Sequence, residues 1–337
     1  MQKKLLALAV ASLVSAPVFA QSQVSVYGII DVGVQSGKFS DATGNLTRVI
    51  SGGNNTNRIG FKGTEDLGNG MKANFVLEGQ PSPDNGNHAA NFWGRMSTLG
   101  LSSNSWGSVN VGRQYTPWFS MRAANDMFYT AGIGTNYSLE GGDTRMSNSI
   151  RYDSNSMNGF TMSALYGLGE SPAQGTATGD EGTTAATKKL GRAGGIGLAY
   201  ANGPLALRYG YETQTKTTGP DVSRKSNHIN GSYDFKVVKL VAGWNSHKQT
   251  AVQDDRSWYI GGTMPVFGKD LIKLEYTRLN NKLVNSSDSN LLALGYEHPM
   301  SKRTVLYATY AKMTNETAAS KTLTGGVAVA ASYDPSA

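Results

Sequence analysis

The stretch Ile272-Lys-Leu-Glu-Tyr276 alternates large apolar side chains with charged ones. The same period of two recurs along most of the chain, for example at residues 24–34, 205–212 and 238–245. Such a period over roughly eight to twelve residues is typical of a β-strand with one apolar and one polar face. Helical periodicity is nowhere comparably strong. The pattern predicts an all-β fold.

The segments between the predicted strands are of two kinds. Seven are tight turns, such as residues 65–70 and 154–159, and eight are longer stretches rich in Gly, Asn, Ser and Thr, such as 38–55 and 116–144. Fifteen connections imply sixteen strands. Short turns at one rim and long loops at the other are typical of outer-membrane barrels, whereas a soluble β-sandwich usually has shorter strands and does not sort its loops. We therefore expect a 16-stranded antiparallel transmembrane β-barrel.

Residues 1–20 have the layout of a secretory signal peptide. Lys3 and Lys4 precede an apolar run at residues 5–14, and small residues precede a cleavage site before Gln21. The run is too short to span a hydrocarbon core of ~30 Å as a helix. We expect residues 1–20 to be removed on export and residues 21–337 to form the barrel.

Composition excludes several kinds of site. The 337 residues contain no cysteine, which excludes disulfides, thiolate metal sites and cysteine nucleophiles. Without Lys3 and Lys4, 29 basic residues face 24 acidic ones, a net charge of +5 that is mild for a nucleic-acid-binding protein. The four histidines lack the spacing of metal ligands and are expected in solvent or lumen positions. We therefore predict no cofactor, no metal and no nucleic-acid partner.

Several short segments together resemble one known family. They are residues 24–31 (Val-Ser-Val-Tyr-Gly-Ile-Ile-Asp), 58–70, 73–78, 111–115 and 148–154. The chain resembles the general diffusion porins of Gram-negative bacteria, in particular the Neisseria/Burkholderiales family, from Gln21 to about Ala330. The resemblance implies a homotrimeric outer-membrane channel for small hydrophilic solutes and ions, with its third loop folded into the pore. It also implies contact with outer-membrane lipid and lipopolysaccharide.

The resemblance further implies a cluster of arginines at the pore constriction. Arg58, Arg95 and Arg151, on the second, fourth and sixth predicted strands, resemble the family's constriction arginines. Glu78 on the third strand resembles a carboxylate of the same wall. The alternation supports a lumen position for Arg58, Arg151 and Glu78, because their sequence neighbours are apolar. The alternative is that these arginines only solvate a polar wall.

The facing of Arg95 is less simple. It shares the phase of the apolar residues Leu99 and Leu101. A β-bulge near Gly100 would give Arg95 a lumen position, and without such a bulge the assignment of Arg95 is weaker.

Residues 116–144 form the longest uninterrupted connection and correspond to the third loop. Loops of this length in a compact fold are usually functional or disordered. Its acidic residues, Asp126, Glu140 and Asp143, are expected to face the constriction arginines. Rings of arginine favour anions in pores, so the excess of basic groups predicts anion preference.

The C-terminal residues raise a question about closure. Pro335, followed by Ser336 and Ala337, is typical of a loop rather than a strand. By the connection count, fifteen strands are then present and the sixteenth is missing. An unpaired strand edge in lipid is very costly, since no water satisfies its backbone groups. We therefore expect the chain to be truncated at its C-terminus.

The sequence leaves two other functions open. A structural or adhesive barrel without conductance would fill its lumen, whereas the inward positions here are frequently charged, small or glycine. A barrel enzyme would need a Ser/His or paired-acid site at the rim, and the sequence displays no such pattern. A conductance measurement in a planar bilayer separates these alternatives from a channel.

Overall fold

A computed structural model describes residues 23–39, 44–89, 91–169, 191–215, 223–319, 321 and 323–333; the expected signal peptide lies outside them. The strands are β1 Gln23–Phe39, β2 Asn45–Ser51, β3 Arg58–Gly68, β4 Met71–Gly79, β5 Pro81–Ser82, β6 Asn87–His88, β7 Met96–Ser103, β8 Gly107–Tyr115, β9 Arg145–Asp153, β10 Phe160–Gly167, β11 Ala193–Asn202, β12 Leu205–Thr215, β13 Ser223–Asp234, β14 Lys239–Gln249, β15 Gln253–Val266, β16 Asp270–Asn281, β17 Ser289–Pro299, β18 Thr304–Asn315 and β19 Leu323–Tyr333. Two short helices, α1 Pro117–Ala123 and α2 Tyr137–Glu140, lie between β8 and β9.

Seventeen of these strands form one antiparallel sheet, and β5 and β6 form a separate two-stranded hairpin. β2 and β3 lie end to end along one edge of β1, so together they act as a single strand and the sheet has sixteen. β19 pairs with β18 on one side and with β1 on the other. The described ladder therefore returns to its first strand, which agrees with the predicted 16-stranded antiparallel sheet.

The prediction that the sixteenth strand is missing is wrong. Leu323–Tyr333 is a strand, and its register places Val329 opposite Val34 of β1 and Ala308 of β18. The segment is rich in alanine and glycine, so it lacks the contrast between large apolar and charged residues that identified the other strands. Its pairing depends on backbone groups, which every residue type except proline supplies in full. Pro335 lies outside the described residues.

The sheet is apolar outside and polar inside. Along β16, Lys273, Glu275 and Thr277 are buried on the inner face, while Leu274 points outward with 51% of its surface exposed. Outward-facing positions of most other strands between β1 and β18 likewise carry exposed Val, Leu, Ile and aromatic residues. This arrangement suits a barrel whose outer face meets lipid and whose lumen holds water.

The first long connection is shorter than the sequence predicted. Within residues 38–55, β1 continues to Phe39 and β2 occupies Asn45–Ser51. Residues 52–57 then leave the sheet, and three of them, Gly53, Asn54 and Asn57, are buried. We call residues 52–57 the inner turn.

The third loop folds inward, as predicted. Thr116 caps α1 by accepting a hydrogen bond from the Phe119 N–H (3.1 Å), and Pro117 occupies the first turn. Trp118 of α1 is fully buried against the inner face of the sheet. A Cβ on Gly210 of β12 would lie 2.8 Å from the Trp118 Cα, so glycine is needed for this close approach. Neither helix, nor any other among the described residues, is long and apolar enough to cross a membrane.

Because the outer face is apolar and the inner face is polar, an added charge should destabilise the barrel more on the outer face than on the inner face. Leu294 lies outward at the middle of β17, so Leu294→Arg should destabilise the folded barrel by ~2–4 kcal/mol. Thr64→Arg is the matched control, because Thr64 lies on the inner face of β3 beside Asn74. Urea unfolding of detergent-solubilised protein measures both. Equal loss of stability in the two variants would contradict the assigned faces.

Candidate functional site

Two arginines contact Tyr115 on the inner face of the sheet, and a third lies within electrostatic range of it. Arg95 and Arg145 each donate a hydrogen bond to the Tyr115 hydroxyl, at 2.7 and 2.8 Å. Arg145 also stacks over the ring, with its Cζ 4.4 Å from the centroid. Arg58 lies close enough to Arg95, Tyr115 and Glu78 to interact with them electrostatically. We call Arg58, Arg95 and Arg145 the arginine wall.

Glu78 is the carboxylate of this wall. Its Oε1 accepts a hydrogen bond from the Arg95 Nε at 2.6 Å, and its Oε2 accepts one from the Tyr27 hydroxyl at 2.9 Å. Arg58 and Arg145 form no ion pair with a carboxylate of any described residue; Arg58 instead donates to the Thr56 carbonyl. The wall therefore carries three guanidinium groups against one carboxylate.

Arg95 reaches the lumen without a bulge near Gly100. It precedes β7, which begins at Met96, and β7 pairs with β4 without a shift of register. Its backbone N–H donates to the Glu78 carbonyl at 3.0 Å, and its side chain turns inward to the Glu78 carboxylate. Because Arg95 lies outside the pleat of the strand, the alternation of β7 does not fix its facing.

Arg151 lies apart from the arginine wall. Its guanidinium forms an ion pair with Asp153 at 2.7 Å and donates to the Tyr115 carbonyl and the Ser120 hydroxyl. It lines a cavity of about 340 Å³ beneath the start of the third loop. Arg151 thus faces the lumen as predicted, but Asp153 neutralises its charge. Its hydrogen bonds to Tyr115 and Ser120 hold the start of the third loop, which we call its root.

Two of the predicted loop acids are bound inside the loop itself. Arg122 of α1 is fully buried and donates to Glu140 (2.7 Å) and to Asp126 (3.1 Å). Asp126 also accepts from the Thr135 hydroxyl at 2.6 Å. Glu140 reaches the Ser257 hydroxyl of β15 at 3.5 Å. Both carboxylates are engaged in contacts within the loop or with the sheet, and neither contacts the arginine wall.

The third loop acid, Asp143, forms an ion pair with Arg224 of β13. Glu212 of β12 lies 4.0 Å from the same guanidinium. The structure thus places Asp126, Glu140 and Asp143 against loop or sheet cations other than Arg58, Arg95 and Arg151.

Two histidines expected in solvent or lumen positions are covered by the loop. His228 and His247 lie on the inner face, but both are at most 1% exposed beneath Trp118. Their rings are 6.3 and 5.2 Å from the Trp118 ring. Among the described residues, no group of three or more His, Asp or Glu side chains could hold a metal ion.

Sequence reasoning missed Arg122 and Arg145. Arg122 lies four residues before Asp126, which follows the end of α1, and this spacing allows a side-chain ion pair and could have identified Arg122. Arg145 is the first residue of β9, where the third loop rejoins the sheet, and its sequence neighbourhood carries no signal for a partner such as Tyr115.

Comparison with known proteins identifies the family to which the chain belongs. A family model described as Gram-negative porin matches residues 7–318. The chain belongs to this family. The porin is 34% identical over 335 residues to outer membrane porin protein 32 of Delftia acidovorans, covering 94% of this chain and 91% of that protein. It is 31% identical over 367 residues to an outer membrane porin protein of Bordetella pertussis, covering 93% of this chain and 94% of that protein.

Solved structures agree with these relatives. The anion-selective porin from Comamonas acidovorans matches with a TM-score of 0.79 and 30% identity, covering 93% of this porin and 100% of that chain. A loop-deletion variant of OmpT of Vibrio cholerae matches with a TM-score of 0.70 but only 17% identity, which supports the fold alone. The protein is thus an outer-membrane porin, located in the outer membrane of a Gram-negative cell.

The ion network of the third loop is sensitive to protonation. Burial raises the pKa of the Glu140 carboxyl to about 7, although Arg122 acts to lower it, and Asp126 raises it further. One buried guanidinium thus pairs with two buried carboxylates, so ionising the second carboxylate costs more free energy than ionising the first.

We expect this network to make stability depend on pH. Because the pKa of Glu140 in the folded porin lies above its usual 4.5, ionisation costs folding free energy, about 1.4 kcal/mol per pKa unit. Stability should therefore fall as pH rises from about 4.5 to about 7. Thermal unfolding of Glu140→Gln should show a shallower fall than that of the wild type over the same pH range. An unchanged slope in Glu140→Gln would contradict this account.

Proposed function

We propose that this porin is a passive, water-filled channel that prefers anions. One observation carries the proposal: the arginine wall has three guanidinium groups and one carboxylate, while all three acids of the third loop are paired with other cations. The constriction between the loop and the wall is therefore net positive. Arg58, Arg95, Glu78 and Arg145 are its main determinants, and Arg151 contributes less because Asp153 neutralises it.

Physical arguments support this assignment. A narrow passage with low-dielectric walls concentrates the field of fixed charges, and rings of arginine lower the energy of anions there. The expected mature chain, with 29 basic and 24 acidic residues, adds a weaker field of the same sign. The relative from Comamonas acidovorans is described as anion-selective, which agrees with the charge balance found here.

Membership of the porin family supports a channel rather than an enzyme. A Ser–His pair does exist, because the Ser226 hydroxyl lies 2.8 Å from the His247 Nδ1. Both residues are 1% exposed beneath Trp118, so a solute in the lumen has no access to them. This burial favours a structural role for the pair.

The assembly is proposed on the basis of the family. Porins of this family generally form trimers in the outer membrane, and we infer a homotrimer for this chain. The exposed apolar side chains on the outer face support contact with membrane lipid, and contact with lipopolysaccharide is proposed at the outer rim. Chemical cross-linking of outer-membrane fractions should give a species of three chains. Monomers alone would contradict the proposed trimer.

The reversal potential in a KCl gradient tests the anion preference. Wild-type channels in planar bilayers should pass chloride more readily than potassium. Arg58→Ser should lower the chloride permeability by up to about fivefold, the factor given by ~1 kcal/mol of Coulomb attraction at about 4 Å in water, and should lower the chloride-to-potassium permeability ratio with it. Arg151→Ser should lower it less, since Asp153 already neutralises Arg151.

Arg256→Ser is the control for charge removal outside the lumen, because Arg256 lies on the outward face of β15. It should leave the ratio unchanged. Potassium selectivity in the wild type, or equal effects of Arg58→Ser and Arg256→Ser, would contradict the proposal.

A further inference from the structure

Residues 129–132, which we call the tip of the third loop, contact the inner turn across the lumen. Gly132, at the tip, has a φ of +66°. A Cβ added to Gly132 would overlap the carbonyl oxygen of Gly53 in the inner turn. The two backbones therefore touch, and only glycine at position 132 permits the approach.

The inner turn is itself held by one buried carboxylate. Asp31 of β1 is fully buried, and its two oxygens accept hydrogen bonds from the N–H groups of Gly53 (3.0 Å), Asn54 (3.0 Å) and Asn55 (2.7 Å). The Tyr307 hydroxyl of β18 donates to the same carboxylate at 2.6 Å. Four donors on one carboxylate fix the shape of the turn, and charge-assisted hydrogen bonds of this kind are the stronger ones.

A second carboxylate joins the inner turn to the loop. Glu297 of β17 accepts from the Asn54 side-chain amide at 2.8 Å and from the Tyr129 hydroxyl at 3.3 Å. Lys273 of β16 forms an ion pair with Glu297 and lies over the Tyr129 ring, 4.0 Å from its centroid. Tyr129 precedes Gly132 in the tip, so the tip has a polar contact and a backbone contact at the same place.

These contacts are separate from those at the root of the loop. Trp118 lies in α1, which packs against β10–β13, and Arg122 binds Glu140 of α2, which packs against β15–β17, whereas the tip contacts the inner turn. Buried side chains on either side of the tip, Phe128 and Ile133, pack in one cluster with residues of the sheet. The contacts with the inner turn add to this packing and fix the position of the tip itself.

We propose that the inner turn, fixed by Asp31, is a docking platform for the tip of the third loop, and that Asp31 and Glu297 are positioning residues that keep the channel steadily open. Breaking the dock shifts the loop toward states in which the tip obstructs the lumen. The proposal concerns the stability of the open pore and does not depend on which ion the pore prefers.

The sharpest test alters the contact without altering charge. In Gly132→Ala, the new Cβ displaces the tip from Gly53. Gly141→Ala is the matched control: Gly141 lies in the same loop and also has a φ of +66°, but a Cβ there would meet no atom of a described residue within 4 Å. Single-channel recordings of the full-length porin in planar bilayers give the closing frequency and the current noise.

Displacing the tip should break the hydrogen bond from Tyr129 to Glu297. We expect Gly132→Ala to raise the ratio of closed to open time about tenfold over the wild type, the change that loss of one charge-assisted hydrogen bond produces. Gly141→Ala should stay near the wild-type ratio, and the reversal potential should be the same in all three. Closed-to-open ratios that are equal in Gly132→Ala and Gly141→Ala would overturn the proposal.

Milder variants decide the matter if Gly132→Ala does not assemble. Tyr129→Phe removes only the hydroxyl that reaches Glu297, and Asn54→Ala removes only the amide on the other side. Each should raise the closed-to-open ratio, and the double variant should add little to the larger single effect, because both act through one dock. Wild-type gating in both single variants would overturn the proposal, whatever happens to the yield of folded protein.

Discussion

The interior of a bilayer offers no water to backbone N–H and C=O groups, and this constraint governs the whole molecule. It requires every strand to be paired on both edges, so β19 must join β18 to β1. A closed sheet of sixteen strands encloses a lumen wide enough for water, and the pleat then assigns polar residues to the inside. Such a lumen is unselective until something narrows it. The third loop does this, and its own polar groups must in turn be satisfied against the inner wall.

The acidic side chains of the third loop are neutralised by ion pairs with arginines. Arg122 binds Asp126 and Glu140 in a fully buried network, and Arg224 of the sheet binds Asp143. The same contacts that hold the loop in place therefore remove its negative charges from the passage. Arg58 and Arg145, which form no ion pair with a carboxylate among the described residues, remain on the facing wall. Packing of the loop and the charge of the constriction are in this way consequences of one set of ion pairs.

The sequence predicted what depends on alternation and failed where partners come from distant segments. The period of two indicated the strands and the inward facing of Arg58, Arg151 and Glu78, because burial of one face fixes register. It could not place Arg95, which lies just before the pleat of β7, nor recognise β19, whose alanines and glycines show no contrast of polarity. The partners of Asp126, Glu140 and Asp143 depend on how the loop crosses the lumen, so spacing alone could indicate only the Arg122–Asp126 pair. The burial of His228 and His247 under Trp118 has the same tertiary origin.

The central claim is that mobile anions accumulate at the arginine wall because the acids of the loop are already paired. Anomalous diffraction from crystals soaked in rubidium bromide tests it most directly, since both ions can be located in one experiment. We expect bromide peaks beside Arg58 and Arg145 and no rubidium beside Asp126, Glu140 or Asp143. Rubidium bound at the loop acids, with no bromide at the arginine wall, would contradict it.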